Sequence, residues 1–289
     1  MTNPSPTQPL PYPPGYPPAY PQGAPLPHRT PNAVVAGSLR VLGLVVMLGL
    51  LGAGAGAVVV EFFRQTAVET VPLATGLTQV FATTDTGDVR VRAADLGEQP
   101  RMIRTLRWSF GRPLVQQAVS AGTERVDARC PRQWFMSNCS VDLELVVPAA
   151  TTMQVATDTG RVSVSGTSSG VTAITTTGGV TLSGVTGGNV SARTNTGDVT
   201  VLATAPDGVV SASTDTGDVR LSFTSPPRSV RASTSTGDVT ISVPAGDAYA
   251  VNSRTDVGES TVLVPNDPAA ARSISATTSV GDIQVASGR

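Results

Sequence analysis

TDTGDVRV at Thr84–Val91 returns as TDTGRVSV at Thr157–Val164, TTTGGVTL at Thr175–Leu182, TNTGDVTV at Thr194–Val201 and TDTGDVRL at Thr214–Leu221. It returns more loosely as STGDVTI at Ser235–Ile241, TDVGESTV at Thr255–Val262 and TSVGDIQV at Thr278–Val285. From Gly160 onward the shared glycine recurs after 18, 19, 20, 20, 21 and 23 residues. A period near twenty with strand-like content marks a solenoid, in which each repeat buries its apolar side only against its neighbours. The expected fold is all-β, a β-solenoid or β-helix with coils of about 20 residues. Such a scaffold offers an extended surface rather than a deep catalytic pocket.

Aligning the repeats on their bend glycines (Gly87, Gly160, Gly178, Gly197, Gly217, Gly237, Gly258 and Gly281) shows which side chains face inward. Seven residues before the glycine stand Val80, Met153, Val171, Val190, Val210, Val230, Val251 and Ile274. Five before it stand mostly Ala, with Val155 and Ser253 as departures. Two and four residues after it stand mostly Val, Leu and Ile. Side chains of a strand alternate faces, so each repeat is expected to be two short strands with one buried face, joined at the glycine. The same phase predicts that both threonines of Thr-x-Thr point into the corner, where stacked hydroxyls satisfy one another. The intervening column (Asp85, Asp158, Thr176, Asn195, Asp215, Ser235, Asp256, Ser279) is expected to face solvent. An outward Thr-x-Thr ladder would suggest ice binding, and this phase argues against it. Val257 and Val280 replace the second threonine in the last two repeats, as expected of atypical terminal coils.

Asp88, Asp198, Asp218, Asp238 and Asp282 directly follow the bend glycine. A stacked carboxylate column could coordinate Ca²⁺, which takes several oxygen ligands. Turn chemistry is the preferred account, because Asp beside Gly stabilises tight turns by bonding its own backbone. Arg161 and Gly179 interrupt the column, and the calcium nonapeptide Gly-Gly-x-Gly-x-Asp is absent. No metal and no cofactor is expected.

Between Val91 and Val155 the period disappears, leaving a non-repetitive insert over 92–150. Ile103–Phe110 and Val141–Val147 alternate like strands within it. Cys130 and Cys139, the two cysteines of the chain, are expected to form a disulfide closing CPRQWFMSNC. In the chain-entropy model so short a loop contributes roughly 2–3 kcal/mol. Trp134, Phe135 and Met136 in that loop read either as an exposed contact tip or as a plug for the open solenoid end. The plug is the preferred reading, with Trp108 packed beneath the same cap.

Val41–Val60 is twenty residues without a charge, long enough for a membrane helix crossing about 30 Å of hydrocarbon. A helix over 33–62 is expected around this core, with a linker over 63–76 and the solenoid over 77–289. Arg29 and Arg40 precede the apolar stretch, so the positive-inside rule puts residues 1–40 in the cytoplasm of a bacterial plasma membrane and the repeats outside. A signal peptide cut after Ala53–Ala57 is the competing reading. The forty residues before the stretch favour an uncleaved anchor. Residues 1–32 hold 12 of the 23 prolines and three of the four tyrosines, so they are expected to form a disordered tail sampling polyproline II. Pro13-Pro14-Gly15-Tyr16 and Pro17-Pro18-Ala19-Tyr20 match a pattern read by aromatic grooves. A cytoplasmic partner of this tail is accordingly the alternative function: an envelope signalling or scaffold protein.

Composition narrows the function classes. All 20 basic residues are Arg, and residues 61–289 carry 18 of them against 21 acids, so no basic stripe invites nucleic acid. The single His is His28, and there is no Lys. Serine nucleophiles beyond residue 60 therefore lack a base, and no phosphate loop or dinucleotide fingerprint occurs. Acids that recur at every bend suit a repeat constraint better than one glycosidase site. An enzyme is not expected.

The run LELVVPAATTMQVATDTGRVSVSG from Leu143, followed by GVTAITTTGGVTLSG and NVSARTNTGDVTV, resembles a bacterial family of unknown function whose members are labelled candidate adhesins, with β-strand repeats. The resemblance spans residues 77–289 and implies a β-solenoid on the cell envelope. The expected function is non-catalytic adhesion, or binding of envelope components through an unknown surface glycan or protein ligand.

Overall fold

The computed structural model describes residues 64–131, 138–203 and 208–288. The expected tail over 1–32 and the membrane helix over 33–62 lie outside these residues. Among the described residues no helix is long and apolar enough to cross a membrane. Every regular element described is a β-strand, and the strands form one sheet of eleven and one of ten.

Each coil gives one strand to each sheet. In the Gly217 coil these are Val209–Ser213 and Val219–Phe223. They lie parallel and in register with the strands of the Gly197 coil, pairing Val190 with Val210, Ala192 with Ala212, Val199 with Val219 and Val201 with Leu221. The period-two pattern becomes the core: Val210, Ala212, Val219 and Leu221 are all buried, as are their counterparts in the other interior coils. Burying a large aliphatic side chain contributes roughly 1.5–3 kcal/mol, so a continuous core accrues as coils stack.

Stacking order departs from chain order at both ends. Thr123–Arg129 pairs parallel with Gln79–Thr86, and Cys139–Val147 pairs parallel with Val89–Ala93. The expected non-repetitive insert thus supplies a further coil, with the Cys130–Cys139 disulfide closing the corner where other coils have their glycine. Sequence periodicity misses it because fourteen residues, 129–142, occupy the place of four, 85–88. The Gly87 coil then stacks directly on the Gly160 coil. Gln65–Pro72, within the expected linker, and Arg101–Trp108 finish one sheet in antiparallel fashion; Leu114–Ser120 finishes the other. Trp108 is partly buried against the core, with the Arg112 guanidinium 5.6 Å from its ring centre. Trp134, Phe135 and Met136 lie outside the described residues.

At the far end the Gly281 coil is not last in space. Its strands Ser273–Val280 and Ile283–Gly288 sit between those of the Gly237 and Gly258 coils. Side-chain chemistry accounts for the inversion. Ile274, Ala276, Ile283 and Val285 are fit for burial on both sides, and all four are buried. The Gly258 coil has Ser253 and Ser260 at core-facing positions, and their hydroxyls bond each other at 2.8 Å. A coil with a hydroxyl pair in its core belongs at the wet end, where burying it costs least.

The cap coil contains one conspicuous exception to apolar burial. Glu124 pairs with Val80, in the column that is Val, Met or Ile elsewhere, and it is fully buried. Neither carboxylate oxygen has a hydrogen-bond partner. Burial pushes its pKa above the ordinary value of 4.5, and the neighbouring Gln117 amide opposes only part of that. Below pH 4.5 the group is neutral in folded and unfolded chains alike. As pH rises, the unfolded chain loses this proton first, so stability falls until the folded carboxyl also ionises.

Two outcomes follow for stability. Urea unfolding from pH 4 to pH 8 should show Glu124→Gln matching the parent at pH 4 and exceeding it at pH 8; equal pH slopes would remove the buried-carboxyl account. Gly217→Ala should lose about 3 kcal/mol in the same assay, because it adds a Cβ at a positive-φ position against backbone.

Candidate binding surface

The bend is built from contacts between coils rather than within them. All eight bend glycines have φ between +136° and +150°, a region open chiefly to glycine. A Cβ on any of them would overlap a carbonyl of the adjacent coil: that of the next bend glycine, or that of Val141 in the case of Gly87. The glycine amide donates to the residue before the neighbouring bend, as in Gly217 N to Thr236 O at 2.9 Å.

The first threonine is buried in every motif except the Gly258 one, where Thr255 is half-buried. Its hydroxyl donates to a bend carbonyl one coil away, which is a glycine carbonyl except for Thr84, whose acceptor is Val141 O. The pairs include Thr157 to Gly87, Thr175 to Gly160, Thr194 to Gly178, Thr214 to Gly197, Thr234 to Gly217 and Thr278 to Gly237, at 2.9–3.0 Å. The expectation that stacked hydroxyls satisfy one another is corrected. Each of these hydroxyls is taken up by the backbone carbonyl of the neighbouring bend instead of by the next hydroxyl in its column.

The second threonine is corrected too. Thr159, Thr177, Thr196, Thr216 and Thr236 are exposed. The alternation used to assign an inward face is lost at the bend, where two neighbours such as Asp158 and Thr159 or Asn195 and Thr196 are exposed together. This holds whether the strand runs on to Thr159 and Thr177 or ends at Arg193, Ser213 and Ser233. Thr196, Thr216 and Thr236 make only isolated bridges.

Aspartate after the glycine also works across coils. Its Oδ1 accepts the amide of the corresponding residue one coil on: Asp218 N to Asp198, Asp238 N to Asp218, Asp282 N to Asp238 and Glu259 N to Asp282, at 2.8–2.9 Å. Asp88 and Asp142 do the same toward Arg161 and Asp88. Turn chemistry holds in kind, but the amide capped belongs to the neighbour rather than to the aspartate's own loop. Among the described residues no three His, Cys, Asp or Glu side chains cluster closely enough to hold a metal ion.

With the repeat interior accounted for, the outer edge of the bends and the outward faces of the two sheets are left exposed. Asp158, Thr176, Asn195, Asp215, Ser235, Asp256 and Ser279 are exposed along the bend edge, with Asp85 half-buried. Beside them runs the second-threonine column, giving two parallel rows of acceptors and hydroxyls. At its cap end the edge deepens into a cavity of about 490 Å³ lined by Thr83, Thr84, Asp85, Asp127, Arg129, Cys130 and Asp158. Arg129 pairs with Asp127 at 2.6 Å, which raises the guanidinium pKa. Asp85 is fixed by accepting the Cys130 amide at 3.0 Å. The disulfide therefore shapes this corner. Sequence reasoning placed Asp85 and Asp158 outward but missed Asp127 and Arg129, whose coil is hidden by the long corner loop. The corner gathers three carboxylates, two threonine hydroxyls and one guanidinium, groups that accept and donate hydrogen bonds.

The arginines of the cap are engaged in ion pairs. Arg92 and Arg101 hold Glu98, whose pKa is lowered to about 2 chiefly by the Arg92 hydrogen bond. Arg104 and Arg112 share Glu69.

The architecture defines a parallel β-solenoid with glycine-stacked corners. The chain belongs to the Toastrack DUF4097 family, whose model matches residues 46–286. A comparison with curated proteins finds no match. Solved structures of similar fold include a candidate adhesin from Bacteroides fragilis NCTC 9343, with 14% identity, 76% of this chain and 97% of that chain covered, and a TM-score of 0.45. A candidate adhesin from Parabacteroides merdae ATCC 43184 has 6% identity, coverage of 78% and 97%, and a TM-score of 0.40. A candidate cell adhesion protein from Clostridium sporogenes ATCC 15579 has 12% identity, coverage of 78% and 100%, and a TM-score of 0.32.

Because the aspartates cap amides rather than ions, Asp218→Ala should cost about 1–2 kcal/mol. The loss should be the same in calcium and in chelator when melting is followed by circular dichroism. Stabilisation of the parent by calcium would revive the ion-binding account.

Proposed function

We propose that this chain is a non-catalytic, single-pass envelope protein that presents its solenoid outside the cytoplasm to bind envelope or surface components. The observation that carries the reading is the division of labour in the repeat. The first Thr, the Gly and, where present, the Asp of the motif hold coils together, while the bend edge and the Asp85–Asp127–Asp158–Arg129 corner stay open to a polar ligand. Carboxylates and an arginine in a shallow open corner match the hydroxyls of a glycan or the polar side chains of a protein. The apolar stretch Val41–Val60 behind Arg29 and Arg40 supports the anchored orientation.

Protease added to intact cells or spheroplasts should digest the repeats before lysis; protection until lysis would sink the orientation. Binding of the purified full chain in detergent to glycan and protein arrays should fall at least tenfold in an Asp85→Asn, Asp158→Asn double variant, about 1.4 kcal/mol or more. Undiminished binding by that variant would move the ligand site away from the corner.

A further inference from the structure

The chain leaves a rung empty and fills it last. After the Gly237 coil it skips one position, builds the Gly258 coil, and returns through residues 263–272 to insert Ser273–Val280 and Ile283–Gly288 between the two. Until that return the rung is a slot with matched walls on both sides.

The walls are specific for a coil of this repeat. On one side, Gly237 N donates to Val280 O at 2.9 Å, and Val239 N donates to Asp282 O at 2.9 Å. Thr278 Oγ1 donates to Gly237 O at 3.0 Å, and Asp282 N donates to Asp238 Oδ1 at 2.8 Å. On the other side, Gly281 N donates to Val257 O at 2.9 Å, and Ile283 N to Glu259 O at 2.8 Å. Thr255 Oγ1 donates to Gly281 O at 2.9 Å, and Glu259 N to Asp282 Oδ1 at 2.8 Å. Ile274, Ala276, Ile283 and Val285 fill the core between. A glycine at position 281 is required, because a Cβ there would overlap Gly237 O.

We infer that this rung is a self-association site: it accepts the C-terminal coil, residues 273–288, of a second copy of the chain in exchange for its own. A second copy is the occupant that the walls specify, since an exchanged coil repeats every contact above and only the 263–272 hinge changes course. Exchange of an identical element is a low-cost route to dimers for this reason. The rung lies at the end of the solenoid opposite the strand Gln65–Pro72, where the described chain begins. The hinge is held by Tyr249 N to Pro265 O, Asp267 N to Tyr249 O and Val251 N to Asn266 Oδ1, each at 3.0 Å, and by Leu263 N to Val285 O at 2.7 Å. Arg272 adds a donation to Pro226 O at 3.1 Å and a pairing with Asp247 at 3.4 Å, and Val264 and Tyr249 are buried. Tyr249 leaves its hydroxyl buried without a partner, a weak point in that anchorage. Chains held side by side or face to face would favour exchange through high effective concentration. As a mode of adhesion between copies this builds on the surface reading above; the exchange itself does not depend on it.

The test uses two differently tagged populations of the full chain in detergent, one carrying Thr240→Cys and the other Gln284→Cys. These positions face each other across the rung. After mixing at high concentration and mild oxidation, the mixed disulfide dimer should form severalfold more than in a control pairing Gln284→Cys with Thr181→Cys, an outward position in the Gly178 coil. Deleting Ala269–Ala271 from both chains should raise the yield further, because a shorter hinge hinders return in cis. Equal yields in the two pairings, or none in either, from chains shown folded by circular dichroism, would overturn the exchange. Since the readout is a cross-link in detergent, failure would leave extracytoplasmic display untouched, and protected repeats on intact cells would leave the exchange untouched.

Discussion

Everything in this molecule depends on how closely one bend can approach the next. Strands of neighbouring coils stand about 4.8 Å apart, and at the corner the backbone carbonyl of one bend occupies the space a Cβ of the next would need. Glycine is therefore imposed twice, by conformation and by the neighbour. The carbonyl it approaches would be buried without a partner, and the first threonine of the adjacent coil supplies the donor. The amide after the glycine would be left over as well, and aspartate supplies the acceptor. Thr, Gly and Asp are thus one solution to the backbone accounting that any sharp, stacked corner must satisfy.

The same constraint explains where the pattern can be broken. Arg161 and Gly179 forgo the carboxylate cap on the next coil while keeping the glycine, which leaves an amide to solvent and nothing worse. The cap coil has Val141 at the bend position and instead turns through a long loop closed by Cys130 and Cys139. A covalent link there replaces the glycine bend. It also positions Asp127 and Arg129 beside Asp85 and Asp158, around a recess of about 490 Å³.

Polar residues at core-facing positions mark the ends of the stack. Ser253 and Ser260 keep the Gly258 coil at the exposed end and leave the more apolar Gly281 coil to be buried on both faces. Glu124 sits at the other end in a column otherwise apolar, without a hydrogen-bond partner. Its effect is a stability that depends on pH, located in the cap rather than in the repeats.

The sequence by itself determined the solenoid, its coil length, its two-strand coils, the bend glycines and the buried columns of the interior coils. Those features are local and periodic, and a period-two apolar pattern reads directly as one buried face. It also indicated the disulfide, from two cysteines in a short loop. Only the tertiary structure decided the rest. The second threonine faces outward because the inward–outward alternation breaks at the residue before it, which phase counting cannot see. Thr, Gly and Asp bond between coils because stacking brings groups about twenty residues apart within hydrogen-bond reach, a distance no local pattern encodes. The hidden cap coil, the inverted order of the last two coils and the recess at Asp127 and Arg129 all depend on which coil stacks on which. Near-identical repeats leave that choice open along the chain, and it is settled by the side chains that can tolerate an open end.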